Sequence, residues 1–144
     1  MKKLFAASAA VACAVALAPA AQALPPFGAS ENTPGTKVTI TSPLEIRAGE
    51  NVSVKVSGFA PNSVVSIKVD DGKGYSNTGV QFTGVVGKVT TNSRGEGTTT
   101  FEMPCEIGQR TNHWLRLLNK TDGKMYSHRT GADLYVRGYA SHCS

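Results

Sequence analysis

The residues of this chain suited to nucleophilic, metal or acid–base chemistry are three histidines (His113, His128, His142), three cysteines (Cys13, Cys105, Cys143) and the hydroxyl-rich run Gly74-Tyr75-Ser76-Asn77-Thr78-Gly79. A hydrolase needs a nucleophile held on a sharp turn beside a base. Gly-x-Ser-x-Gly, His-Glu-x-x-His, a phosphate-cradling Gly-rich loop and Cys-x-x-Cys are all absent, and the spacing from Gly74 to Gly79 is wrong for a nucleophile elbow. No catalytic residue is assigned and the chain is expected not to be an enzyme; a secreted hydrolase of unrecognised type is the third reading. The histidines lie far apart with no metal-ligand spacing, so no metal is assigned. Asp70, Asp71 and Asn77 offer oxygens for calcium, but they match no calcium loop and Lys73 sits among them, which reads as a solvated turn. Tyr126 and His128 are expected on one loop, and either is an axial ligand that haem iron accepts. They make a small-ligand carrier, for haem or another hydrophobic molecule, the second reading. Asn51-Val52-Ser53 and Asn119-Lys120-Thr121 fit the glycosylation sequon.

A binding surface is the leading reading. If Leu115 and Leu117 point into a core, period-two alternation turns Trp114 and Arg116 outward; if Leu134 and Val136 point inward, Tyr135, Arg137 and Tyr139 point out. With these two strands as neighbours and Lys68 on the strand beside them, the result is an exposed aromatic and basic stripe. Aromatic faces stack on sugars and pair with cations, while Arg and Lys grip carboxylate or phosphate. The stripe is therefore expected to receive an extracellular glycan, wall polymer or protein. A one-residue slip in register would instead bury Trp114 and expose the leucines.

The chemistry must be read in the compartment that the first residues specify. Met1-Lys2-Lys3 supplies a positive start, Leu4 to Ala18 is free of charge, and Ala21-Gln22-Ala23 is a small-x-small cleavage site. Residues 1–23 are expected to be a cleaved signal peptide, being too short and too interrupted by Pro19 to anchor in a bilayer. The mature chain is then secreted, or held at the cell surface, with no membrane insertion. The signal carries two of the fifteen Lys and Arg and none of the ten acids, so its removal lowers the net charge from +5 to +3. That is mildly basic and no nucleic-acid signature; it suits anionic partners outside the cell. Cys13 leaves with the signal, and Cys105 and Cys143 are expected to pair in an oxidising compartment. Closing that loop is worth about 4 kcal/mol in the chain-entropy picture, against about 5–15 kcal/mol for a whole domain.

Residues 24–36 hold Pro25, Pro26, Pro34 and Gly35 and read as an extended lead-in. From residue 37 to 144 the chain reads as one all-β domain. Seven alternating segments are separated by Gly, Pro, Asn and Asp clusters: Lys37–Thr41, Asn51–Gly58, Ser63–Asp70, Val85–Thr91, Gly97–Met103, His113–Leu118 and Asp133–Ala140. The second and third, joined by the turn Phe59-Ala60-Pro61-Asn62, are expected to form a hairpin. Thr121-Asp122-Gly123-Lys124 is placed on a long loop between the sixth and seventh.

The run Val54-Lys55-Val56-Ser57-Gly58-Phe59-Ala60-Pro61-Asn62, continued by Ser66-Ile67-Lys68-Val69-Asp70-Asp71-Gly72, resembles the immunoglobulin-like modules of secreted and surface proteins of Gram-positive actinobacteria. His113-Trp114-Leu115-Arg116-Leu117-Leu118 is similar to a later strand of those modules. The likeness covers most of residues 37–140 and implies a seven-stranded immunoglobulin-like sandwich, outside the cell, with no activity attached. In that fold the fifth and seventh strands end at one pole, which puts Cys105 and Cys143 within reach of each other.

Overall fold

The computed structural model describes residues 31–70 and 84–143. Residues 1–23, where an export signal is expected, most of the lead-in, Asp71, Asn77 and the Gly74–Gly79 run lie outside the described residues. Nine strands form: β1 (Lys37–Ile40), β2 (Glu45–Ala48), β3 (Asn51–Ser57), β4 (Val64–Asp70), β5 (Gly87–Thr90), β6 (Gly97–Glu102), β7 (Thr111–Thr121), β8 (Lys124–Arg129) and β9 (Leu134–Tyr139), followed by a short 3-10 turn at Ser141–Cys143. None of the described helices is long and apolar enough to cross a membrane.

The strands make two sheets. The smaller runs β1-β3-β6 and is antiparallel throughout; the larger runs β2-β9-β7-β4-β5, with β8 also on β7. β2 lies parallel to β9, and every other pairing in the larger sheet is antiparallel. The inner faces follow from alternation. In β3, Val52, Val54 and Val56 are buried while Asn51 and Lys55 are exposed; in β4, Val65, Ile67 and Val69 are buried. Leu115, Leu117, Leu134, Val136, Phe101 and Met103 complete most of the interior. Each fully buried side chain of this size contributes about 1.5–3 kcal/mol relative to exposure, so these runs commit their strands to the sheet face they occupy.

Three expectations are corrected here. The expected hairpin of β3 and β4 does not form: β3 pairs with β1 and β6, and β4 with β5 and β7, so residues 58–63 arch from one sheet to the other. Both strands carry a valine-rich inner face, and facing across a core buries both faces as fully as lying side by side would. Among the described residues there are nine strands, not seven, because β2 and β8 add to the seven. β2 is a four-residue stretch whose hydrogen-bond partner lies about 90 residues away, so no local pattern marks it. The long loop expected to carry Thr121 to Lys124 is instead a hairpin: β8 returns from β7 through a two-residue turn at Asp122 and Gly123, with φ of 52° and 77°. That is the type I′ geometry, for which Asp-Gly is among the favoured pairs.

The free edge of β8 is clamped by the end of the lead-in. Thr33 N donates to Ser127 O at 2.8 Å, Ser127 N donates to Thr33 Oγ1 at 2.9 Å, and Arg129 N donates to Asn32 Oδ1 at 2.7 Å. Backbone and side chains of the lead-in together do the work of a further strand and close a ladder that would otherwise template another chain.

Candidate functional site: the outer face of the large sheet

The outer face collects the residues opposite in phase to the leucines and valines. Register places Lys68 of β4 directly across from Arg116 of β7, and Arg116 directly across from Arg129 of β8. Three cations thus stand side by side over three neighbouring strands. Lys88 follows one row on, beside Ser66, and exposed Lys120 lies farther along β7. Like charges directly opposite one another cost stability on a sheet. Asp70 offsets part of that repulsion: its carboxylate is 3.8 Å from the Arg116 guanidinium, and the side chains are 24% and 23% exposed. One carboxylate against three cations leaves the row with a net positive charge.

Trp114 corrects the expectation of an exposed aromatic. It stands on the outer face, as alternation requires, yet it is only 7% exposed. The reason is β8, which brings the Arg129 guanidinium to 5.9 Å from the indole centroid. The ring serves as a floor beneath that cation and is closed to a sugar. Its Nε1 is buried with no hydrogen-bond partner among the described residues.

The remaining stripe residues form a second cluster. Tyr135 sits across from Asn112, and Val136 is level with Thr111, where β7 begins. Arg137 and Tyr139 therefore lie past the start of β7, displaced from Arg116 by about 20 Å and about 27 Å along the strand direction. Arg137 Nε is 3.2 Å from Glu45 Oε2 across the β2–β9 edge, and Tyr139 is 52% exposed. The structure thus brings Lys68 and Arg116 together, adds Arg129, and separates Tyr135, Arg137 and Tyr139 from them. Arg129 was missed because its strand was read as loop; Asp122-Gly123 was the signal that would have found it.

Tyr126 and His128 share the inner side of β8, opposite Asn119 and Leu117. Tyr126 is packed against the core, 6.5 Å from the Phe59 ring and with Lys124 Nζ 4.8 Å from its centroid. His128 lines a cleft of about 420 Å³ between β1 and residues 128–133, with Val38, Ile40 and Leu44 on the apolar side. The Thr36 hydroxyl donates to Thr33 O at 2.6 Å and accepts from His128 Nδ1 at 3.0 Å. Burial, and secondly the charge of Arg129, hold the imidazole below its usual pKa of 6.5, against an opposing pull from Thr36. His113 is wholly buried and His142 exposed, so the histidines serve three separate environments. Among the described residues, the His, Cys, Asp and Glu side chains close enough to share an ion are Cys105, His142 and Cys143. The two cysteines are bonded to each other, as expected, with Cα atoms 5.4 Å apart. Of the two sequons, Asn51 lies exposed on β3, whereas Asn119 is 2% exposed and bonded to backbone.

Comparison with known proteins returns no match: no family model fits the chain, and neither curated proteins nor solved structures match it.

Proposed function

We propose that this chain is a secreted, non-catalytic binding module of immunoglobulin-like type, and that it holds an anionic extracellular glycan or wall polymer across Lys68, Arg116 and Arg129. The observation that carries this reading is the in-register row of three cations on one sheet face. Such a row costs the free protein stability, and an anionic chain lying across the strands would offset the cost. Guanidinium groups suit planar or tetrahedral oxyanions because they donate two parallel hydrogen bonds. Secretion is supported by the charged start, apolar run and small-x-small site of residues 1–23. An immunoglobulin-like arrangement is supported by two facing sheets ordered β1-β3-β6 and β2-β9-β7-β4-β5, with an arch between β3 and β4.

The test is capture of the purified protein on a poly(glycerol phosphate) and on a sulfated glycan, at low and high salt. Binding should weaken with ionic strength, and Lys68→Gln with Arg116→Gln should weaken it about tenfold or more, since a charge-assisted contact is worth about 1.5–3 kcal/mol. Arg137→Gln with Tyr139→Ala, on the separate cluster, should leave it unchanged. Failure to capture either polymer at low salt, or capture indifferent to Lys68 and Arg116, sinks the proposal.

A second reading, the small-ligand carrier, draws on the cleft beside His128, whose volume falls within the range of about 300–1,000 Å³ seen for ligand sites. Its walls mix Val38, Ile40 and Leu44 with Asn32, Thr39 and Asp133. That lining suits a small amphipathic molecule better than a wholly apolar one.

A further inference from the structure

The pole that carries the disulfide holds more ligating chemistry than a cross-link uses. Cys105 Sγ, Cys143 Sγ and a ring nitrogen of His142 all lie within 4.8 Å of one another. His142 Nε2 is also 3.1 Å from Glu102 Oε2, on the last residue of β6. Nitrogen and oxygen ligands on one tetrahedral Zn²⁺, each about 2.1 Å from it, stand about 3.4 Å apart. The imidazole and carboxylate are joined by a hydrogen bond in the oxidised chain, and a shift of a few tenths of an ångström would bring them to the separation of two ligands on one ion. Three donors, two sulfur and one nitrogen, converge from the loop after β6 and the C-terminal turn, and the Glu102 carboxylate at the end of β6 reaches the same imidazole.

The ground beneath these donors is kept clear. Gly49, in the turn between β2 and β3, has φ of +94°, and a Cβ there would fall 2.5 Å from Cys143 Sγ and 3.0 Å from the His142 Cε1 and Nε2 atoms. Its backbone is fixed from the other side, with Gly49 N donating to Met103 O at 2.7 Å. The main chain thus forms a floor against which the sulfur and the imidazole pack together, with no side chain between them. Above, Glu102 and His142 are more than half exposed and Cys105 and Cys143 are partly so, leaving an open approach from solvent.

We propose that reduction of Cys105–Cys143 turns this pole from a covalent staple into a Zn²⁺ site, with Cys105 Sγ, Cys143 Sγ and His142 as ligands and Glu102 closing the fourth position. A small thiol supplies the two electrons and two protons that open the S–S bond to two thiols, and is itself oxidised to a disulfide. Metal capture then forms two Zn–S bonds and releases both thiol protons to solvent, while the neutral imidazole gives its lone pair. Soft thiolates with one imidazole favour Zn²⁺ over Mg²⁺ or Ca²⁺. The ion would tie the loop after β6 to the C-terminal turn, as the disulfide does in the oxidised chain.

The experiment uses the full chain carrying Cys13→Ser, so that two thiols remain, reduced with a phosphine and titrated anaerobically with Co²⁺ as a spectroscopic stand-in. One equivalent should give thiolate-to-cobalt charge-transfer absorption with intense tetrahedral d–d bands, both erased by one equivalent of Zn²⁺ and both absent from the oxidised chain. His142→Ala should weaken apparent affinity by at least about tenfold, the lower end of what losing even an outer-sphere partner costs; Glu102→Gln should weaken it less. Far-UV circular dichroism recorded in parallel covers the case in which reduction loosens the fold: recovery of the β signature on adding metal supports the site. Absence of the cobalt bands, bands that form without the β signature, or His142→Ala binding as tightly as the parent overturns it.

Discussion

At one end of the sandwich Cys105 is bonded to Cys143; at the other, the arch after β3 is held without a covalent link, by the buried Phe59 and a set of hydrogen bonds. There Asn119 Oδ1 accepts from Ala60 N at 3.1 Å and Asn119 Nδ2 donates to Val64 O at 3.0 Å. The Thr91 hydroxyl adds a 2.6 Å bond to Ala60 O and accepts from Ser63 N at 3.0 Å. Asn119 and Thr91 are 2% and 3% exposed, so this network works in a dry setting where an unmade bond is costly. The covalent pole is half-open to solvent and fixes ends that local sequence leaves free. The polar pole is sealed and fixes a crossing between sheets. A cross-link acts largely by restricting the unfolded chain, a buried amide by satisfying the folded one.

The largest expected effect tests the covalent pole. Cys105→Ser with Cys143→Ser, in the chain lacking Cys13, should lose about 4 kcal/mol in urea unfolding. The slope of free energy on urea should rise, because the uncross-linked chain exposes more surface when unfolded. An unchanged slope would place the effect in the native state and erase the contrast. Next in size, Asn119→Ala strands Ala60 N and Val64 O and should cost about 2–4 kcal/mol with no change in slope. A loss below about 1 kcal/mol would mean that water replaces the amide and that the pole is not dry.

Between the poles, His128 gives the smallest effect. Its folded pKa lies below 6.5, so the folded state resists the proton that the unfolded chain accepts. Stability is full above about 6.5 and falls as pH drops through that value toward the folded pKa. His128→Gln should flatten this fall between pH 7.5 and 5.5, measured by urea midpoints. An identical pH profile in parent and variant would remove His128 from the account.

What could be read in advance varied with how local its cause was. Val52, Val54 and Val56 announced their inner face because a strand has a fixed two-residue period, and Leu115 with Leu117 did the same. The cysteine pair followed from a count and a compartment. Asp122-Gly123 carries the hairpin-turn signal in the sequence itself, and the strand that follows it brings Arg129 over Trp114. β2 left no comparable trace, since Glu45-Ile46-Arg47-Ala48 is too short to show a period and its partner is β9.

By itself, then, the sequence determined which side of each long strand meets the core, where the cross-link falls and that Lys68 and Arg116 face outward, because alternation and cysteine pairing need no knowledge of distant neighbours. Only the tertiary structure decided that β3 and β4 face each other across the core, that Arg129 completes the cationic row, and that Arg137 and Tyr139 stand apart from it. Those outcomes depend on which strands lie side by side and in what register. Pairing between segments tens of residues apart is settled by the packing of the whole core.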